Sequence, residues 1–140
     1  MSELFAVQNL YKHYGDATVV NDVSFAIAPG ECLGVIGPNG AGKTTTIRML
    51  CGLLPPTEGT ATVAGFDIAR QRVAMKPHIG YMSQKFSLYN DLTVEENIRF
   101  YGDIYDLPPA RFADRKKWVL EMAGLVGKEH LLTKDLSGGW

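Results

Sequence analysis

The sequence predicts an α/β fold built around one glycine-rich loop. Residues 31–36 are a short, mostly apolar run of the kind found in buried strands. Residues 45–51 contain no helix breaker, and Gly52 follows at the point where a helix would stop. Between them, residues 37–44 read Gly-Pro-Asn-Gly-Ala-Gly-Lys-Thr. The loop is therefore predicted to join a buried strand to a helix.

The loop fits G-x-x-x-x-G-K-[ST], a pattern that binds phosphate groups. A strand-to-helix loop directs backbone N–H groups and the positive end of the helix dipole at one point. We expect Lys43 to reach the β and γ phosphates and the Thr44 hydroxyl to ligate Mg²⁺. Three glycines are expected to allow positive φ and close approach to phosphate oxygens: Gly37, Gly40 and Gly42. A glycine-rich turn with a chance lysine is the alternative, and the flanking strand and helix disfavour it.

The composition is that of an ordinary globular protein with one core. The 140 residues are 46% hydrophobic and carry a net charge of −1, so no basic excess supports nucleic-acid binding. No apolar run approaches the length of a membrane-spanning helix, and no basic-then-apolar leader opens the chain, so we expect a cytoplasmic protein. Cys32 and Cys51 lack the spacing of a zinc site and are interpreted as buried reduced thiols.

The first part of the chain is predicted to be mainly β. Apolar patterning predicts strands at residues 4–10 and 23–27, with a turn at 11–16 between them. Three short elements are predicted beyond the first helix: a strand at 60–63, a helix at 68–75 and a strand at 78–82.

The last part of the chain is predicted to be helical. Thr93 and Glu96 have the spacing of a capping box, so a helix is expected from 94 to about 105. A second helix is expected over residues 110–123, with Gly124 as its stop signal. A basic cluster on that helix is interpreted as a solvated face: Arg111, Arg115, Lys116 and Lys117.

Four features in order carry a family resemblance. They are the loop, a glutamine (Gln84) that leaves a strand 41 positions beyond Lys43, a helical stretch, and Leu-Ser-Gly-Gly at residues 136–139. Together they resemble the nucleotide-binding domain of ATP-binding cassette (ABC) transporters over essentially the whole chain. The resemblance implies an α/β P-loop NTPase core of the ABC ATPase type, with an N-terminal antiparallel β segment and a helical subdomain. Residues 1–90 would hold the β segment and partial core, and 91–140 the helical subdomain.

The resemblance also implies roles for individual residues around MgATP. Tyr14 is similar to the aromatic residue that stacks on adenine, although Tyr11 competes for that role and simple packing is an alternative. Thr45 would add a hydroxyl near the α phosphate. Gln84 would contact Mg²⁺ and the attacking water, and so act in catalysis with Lys43. The Walker A residues that would bind ATP are Gly37, Pro38, Asn39, Gly40, Ala41, Gly42, Lys43 and Thr44.

The signature motif implies partners. Ser137, Gly138 and Gly139 match the residues that contact the γ phosphate held by the opposite protomer of a head-to-tail dimer, and Ser137 is expected to begin a helix. Trp140 stands where the family usually has glutamine. The family's ATPase subunits bind a transmembrane permease subunit, which implies a peripheral location on the inner face of the cell membrane.

The family's Walker B strand, catalytic glutamate and switch histidine come after the signature. No run of four apolar residues ends in Asp-Glu here, and all three histidines precede the signature. We therefore expect the N-terminal part of an ABC ATPase, truncated before the Walker B strand, which by itself hydrolyses MgATP very slowly or not at all. Its apolar faces would lack cover, which predicts an unstable or aggregating chain.

Three other functions remain as alternatives. An ATP-binding, non-hydrolysing fragment or regulatory module would share the loop. A chromosome-structure ATPase would separate Walker A from the signature by a long coiled coil, whereas Lys43 and Leu136 are only 93 positions apart. A small-molecule kinase would not explain residues 136–139.

Within the ABC proteins, residues 84–97 resemble the exporter branch with a separate ATPase subunit, of the drug, polysaccharide or ABC-2 type. A permease segment would then dock in the groove between the core and the 94–123 helices. The aromatic residues expected to receive it could equally belong to the core: Phe86, Tyr89, Phe100 and Tyr101.

Overall fold

The computed structural model describes residues 3–85 and 87–137, and the chain divides into two compact units, Met1–Tyr81 and Met82–Trp140. The first unit contains a β-sheet and short helices, and the second contains two longer helices. The α/β class is therefore confirmed. No helix among the described residues is both long enough and apolar enough to cross a membrane.

The first unit is built on a four-stranded sheet with the order β2-β1-β3-β4, antiparallel throughout. Gly15 and Asp16 form the turn between the two longest strands, and Gly15 has the positive φ (57°) that such tight turns require. A 3₁₀ helix, Lys76–His78, follows the second helix directly. The other elements of this unit are β1 (Phe5–Tyr14), β2 (Ala17–Ile27), α1 (Lys43–Leu50), β3 (Glu58–Val63), β4 (Phe66–Asp67) and α2 (Arg72–Met75).

The core of the first unit lies between the sheet and the helices. Leu10 of β1, Met49 of α1 and Met75 of α2 are fully buried in one apolar cluster. Burying a side chain of this size stabilises the fold by about 1.5–3 kcal/mol relative to leaving it exposed. The cluster fixes α1, and therefore the loop before it, against the sheet.

The second unit contains α3 (Val94–Ile104), α4 (Pro109–Ala123) and a 3₁₀ helix, Thr133–Asp135. The predicted capping box is confirmed: the Glu96 N–H donates to Thr93 Oγ1 at 3.1 Å, and the Thr93 N–H donates to Glu96 Oε2 at 2.8 Å. Gly124 caps α4 in the left-handed conformation, as predicted. Val94, Leu120 and Leu125 form the unit's small apolar core.

Two predicted strands, at residues 31–36 and 78–82, are wrong. Neither segment pairs with a strand in the described part of the chain; His78 lies in a 3₁₀ helix, and Ile36 and Met82 are 98% and 92% exposed. An apolar run shows that a segment needs cover, but a strand forms only where another backbone supplies hydrogen-bond partners. Leu33, Val35 and Ile36 of the first segment are exposed, and so is Cys32, which corrects the expectation of a buried thiol at that position.

The predicted turn at residues 11–16 is too long. β1 continues to Tyr14, because Lys12 and His13 pair with the β-branched residues Val20 and Thr18 of β2. Tyr14 therefore ends a strand and does not lie in the turn.

Candidate functional site: the phosphate loop and the segments around it

The phosphate loop, residues 37–42, leads directly into α1. Gly40 and Gly42 have φ of 81° and 92°, as the sequence predicted, whereas Gly37 does not adopt positive φ. A Cβ placed on Gly37 would lie 3.3 Å from Ala41 Cβ and 3.8 Å from Lys43 Cδ. Gly37 is therefore needed for close packing inside the loop rather than for its backbone conformation.

Lys43 folds back over the loop that precedes it. Its partly buried Nζ donates hydrogen bonds to the carbonyl oxygens of Gly37 and Pro38, the latter at 2.8 Å. The Ala41 N–H also donates to the Pro38 oxygen, at 3.2 Å. An ammonium group has three donors, so the lysine keeps one proton for an anion after making these two bonds. The Lys43 ammonium group is thus held against the first two residues of the loop.

The first turn of α1 is suited to an anion. Gly42 occupies the N-cap position without a capping side chain, and the first turn contains no acidic residue. The leading N–H groups of a helix have no partner within the helix, so they point outward together with the positive end of the dipole. Thr44 is exposed and Thr45 half-buried in this turn.

Thr46 is a structural residue that the sequence reasoning missed. It is 7% exposed, and both its backbone N–H and its Oγ1 donate to the Gly42 carbonyl oxygen at 2.9 Å. The two bonds fix the left-handed Gly42 at the start of the helix. A threonine four residues after the N-cap can bond back in this way, and that spacing was the available signal.

The residues present fit a magnesium–phosphate ligand better than a metal held by protein alone. Among the described residues no three His, Cys, Asp or Glu side chains cluster as metal ligands do. Mg²⁺ commonly keeps several waters and binds through one or two protein oxygens plus substrate phosphates. The exposed Thr44 hydroxyl, beside a set of anion-directed donors, is an oxygen of that type.

Tyr14 lies at the end of the β1–β2 hairpin, where it pairs with Ala17. Tyr14 is 52% exposed as a residue, and Lys12 Nζ lies 5.1 Å from its ring centroid. Tyr11, the competing candidate, is less exposed and stacks on His13 with centroids 5.8 Å apart. Tyr14 therefore has more ring surface available to a ligand.

The hairpin contacts the phosphate loop at Gly42. A Cβ on Gly42 would lie well inside 3.0 Å of the Val19 carbonyl oxygen and 3.3 Å from Val20 Cγ2. Because Val19 is two residues beyond Ala17, the structure brings the Tyr14 end of the hairpin and the loop together within the first unit.

The other predicted site residues belong to the second unit. Gln84 lies on an exposed bend, next to a hydrogen bond from Ser83 Oγ to the Lys85 carbonyl oxygen at 2.6 Å. Ser137 is exposed and follows the 3₁₀ helix Thr133–Asp135. The predictions for Phe86, Gly138, Gly139 and Trp140, and the helix expected to begin at Ser137, lie outside the described residues. Sequence reasoning also missed Asn97, a buried amide in the first turn of α3.

Comparison with known proteins places these features in one family. The profile described as ABC transporter matches residues 20–140. The chain is 50% identical over 133 residues to the probable multidrug ABC transporter ATP-binding protein YbhF of Escherichia coli, covering 95% of this chain and 23% of that protein. It is 39% identical over 139 residues to the Nod factor export ATP-binding protein I of Cupriavidus metallidurans, covering 99% of this chain and 46% of that protein.

A third relative is the linearmycin resistance ATP-binding protein LnrL of Bacillus subtilis, 39% identical over 136 residues, with 97% of this chain and 44% of that protein covered. The chain thus spans less than half the length of these relatives. Among solved structures, an ATP binding subunit of an ABC transporter superposes with a TM-score of 0.86 at 31% identity, covering 97% of this chain and 57% of that one.

Proposed function

The chain belongs to the ABC transporter family, and from that membership we propose that its phosphate loop binds MgATP for a protein that couples ATP hydrolysis to export. Family membership implies nucleotide binding in general. Export is supported by the names of two relatives, a Nod factor export protein and a probable multidrug transporter protein.

One observation carries the proposal: the junction of the phosphate loop with α1. Gly40 and Gly42 adopt positive φ, Lys43 Nζ bonds to the Gly37 and Pro38 carbonyl oxygens, and α1 begins without a capping side chain. The backbone N–H groups at this junction are hydrogen-bond donors, and the Lys43 ammonium group is a donor that also carries a positive charge. A triphosphate satisfies them with acceptor oxygens, and each hydrogen bond to a charged group contributes about 1.5–3 kcal/mol.

The roles proposed for individual residues follow their chemistry. Lys43 would place its charge beside the β and γ phosphates, Thr44 would give its hydroxyl to Mg²⁺, and Thr45 would bond near the α phosphate. Bound Mg²⁺ would neutralise charge on the phosphate oxygens. Tyr14 would stack its exposed face on adenine, with the Lys12 ammonium near its ring.

Gln84 and Ser137 are proposed to complete the site in the assembled transporter. Gln84 would contact Mg²⁺ and the attacking water, and its exposed position leaves its amide accessible. Ser137, with Gly138 and Gly139, would contact the γ phosphate of a second nucleotide-binding domain in a head-to-tail dimer. No role for nucleic acid is proposed.

Lys43→Ala tests the proposal in the protein that carries this sequence. We expect MgATP affinity to fall about 10- to 100-fold, because a charge-assisted contact worth about 1.5–3 kcal/mol is removed. Lys76→Ala, which removes an exposed lysine from the same unit, is the control and should bind as the wild type does. Titration with a fluorescent ATP analogue measures both. Equal affinity of Lys43→Ala and wild type would refute the proposal.

ABC ATP-binding subunits pair with transmembrane components, and we place that contact on an aromatic pair in the second unit. The Tyr89 and Phe100 rings meet edge to face with centroids 4.7 Å apart, and they are 48% and 36% exposed. Tyr101 instead uses its hydroxyl to donate to the Ser87 carbonyl oxygen at 2.8 Å, which favours a structural role. Binding of a transmembrane component to the Tyr89–Phe100 pair would hold the protein on the inner face of the membrane.

Tyr89→Ala is expected to keep MgATP affinity while losing co-purification with the transmembrane partner. Trp118→Ala removes an equally exposed aromatic residue from α4 and is the matched control. If Tyr89→Ala still co-purifies with its partner, or if it fails to fold, the docking role is wrong.

A further inference from the structure

A buried polar network in the second unit, here called the Asn97 junction, joins two segments far apart in sequence. Asn97 is 3% exposed and Thr133 is 2% exposed. Asn97 Nδ2 donates to Thr133 Oγ1 at 2.8 Å, and Thr133 Oγ1 donates to the Leu92 carbonyl oxygen at 2.8 Å. Two side chains that are 36 positions apart are therefore bonded directly to each other and to the segment before α3.

The Asn97 amide also organises residues 89–93 from inside. Its Oδ1 accepts from the Tyr89 N–H at 2.8 Å, while Nδ2 lies 3.0 Å from both the Tyr89 and Thr93 carbonyl oxygens. An amide carries two N–H donors and an acceptor oxygen in one plane, so it can serve both kinds of backbone group. Aspartate would lose the donors, and leucine would leave the buried groups unsatisfied.

Backbone bonds extend the junction along both segments. The Thr133 N–H donates to the Leu92 oxygen at 3.0 Å, and the Lys134 N–H donates to the Asn90 oxygen at 3.2 Å. Thr93 and Leu132 also form an antiparallel bridge. The segment at 131–134 is thus held against the segment at 89–94 over several consecutive residues.

The junction lies immediately before the signature serine. Thr133 begins the 3₁₀ helix Thr133–Asp135, the Leu136 N–H donates to the Thr133 oxygen at 3.2 Å, and Ser137 follows. Resting on the function proposed above, we propose that Asn97 and Thr133 are positioning residues that set where Ser137 presents its hydroxyl to the γ phosphate of a partner domain. They act through the backbone and touch no nucleotide themselves.

Variants at position 133 separate this role from general stability. Thr133→Val keeps the branched shape and removes the hydroxyl, whereas Thr133→Ser keeps the hydroxyl and loses a methyl group. Lys117→Ala, on α4 and outside the junction, removes only an exposed ion pair to Glu121 at 4.0 Å and is the control. All are compared with wild type in the complete protein, by kcat for ATP hydrolysis and by MgATP affinity.

We expect Thr133→Val to lower kcat about 5- to 50-fold, since a buried bond is lost, with MgATP affinity within about twofold of wild type. Thr133→Ser should retain most of the wild-type kcat, and Lys117→Ala all of it. An unchanged kcat in Thr133→Val overturns the inference. So does an equal loss in the Val and Ser variants, because shape rather than the hydroxyl would then matter.

Hydrogen exchange of the wild type supplies a measurement that needs no variant. Adding a non-hydrolysable ATP analogue should slow exchange at the Tyr89, Thr133 and Lys134 amides together, and no change there would also overturn the inference. A wild type that neither binds nor hydrolyses MgATP overturns the proposed function and this inference with it. If the wild type is active and Thr133→Val has the same kcat, the inference is wrong and the proposed function still stands.

Discussion

Gly42→Ala is expected to destabilise the first unit far more than Gly40→Ala. Both glycines have positive φ, which costs a residue with a Cβ about 1–2 kcal/mol. A Cβ on Gly40 meets nothing within 4 Å, whereas on Gly42 it would strike the Val19 backbone carbonyl. Overpacking adds about 1–3 kcal/mol. We therefore expect a loss of about 2–5 kcal/mol for Gly42→Ala and about 1–2 kcal/mol for Gly40→Ala.

Urea denaturation of the complete protein, followed by a probe in the first unit, measures both variants. Gly40→Ala serves as the matched control because it shares the backbone cost and lacks the clash. Its added methyl group meets no protein atom within 4 Å, so its loss of stability should be limited to the backbone cost of about 1–2 kcal/mol. Weaker MgATP binding is also expected, because a Cβ obstructs the close approach of phosphate oxygens to the loop backbone. If the two variants lose equal stability within about 0.5 kcal/mol, the hairpin does not lie against Gly42 and the reasoning fails.

The capping box of α3 gives two further predictions, both measured by denaturation midpoints. Thr93→Ala should cost about 1 kcal/mol and Thr93→Ser much less, and equal losses would contradict the hydroxyl bond. Hydrogen bonds from the Thr93 backbone, and then from its side chain, lower the pKa of Glu96. A lowered folded-state pKa gives stability that is present above the unfolded pKa and is lost as pH falls through the folded value. Glu96→Gln keeps the capping box but has no carboxyl group to titrate. The wild type should therefore lose its stability advantage over this variant as the pH falls below the usual range for a glutamate pKa. A difference in stability that does not depend on pH would contradict the assignment.

The features that sequence predicted well are those whose signals are local. The loop before α1, the Thr93–Glu96 box and the Gly124 cap each depend on residues within one or two turns of one another. Periodicity placed α3 and α4 to within one residue at each end. The family resemblance was carried by motifs of the same kind, read in order along the chain.

The features that sequence missed depend on distant neighbours. Residues 31–36 have the composition of a strand, but pairing requires a second backbone that composition does not report. β1 is longer than predicted because β2 supplies partners for Lys12 and His13. The buried hydroxyl of Thr46 and the buried amide of Asn97 looked like ordinary polar residues until packing showed their surroundings.

The central position of β1 has a consequence for the order of assembly during synthesis. β1 and β2 can pair once Ile27 has emerged, because a two-residue turn joins them. The other edge of β1 stays unpaired until β3 has been synthesised, about thirty residues later. At translation rates of about 5–20 residues per second, that edge stays open for roughly 2–6 s. A nascent chain is thus exposed to edge-to-edge pairing with its neighbours on a polysome during this interval.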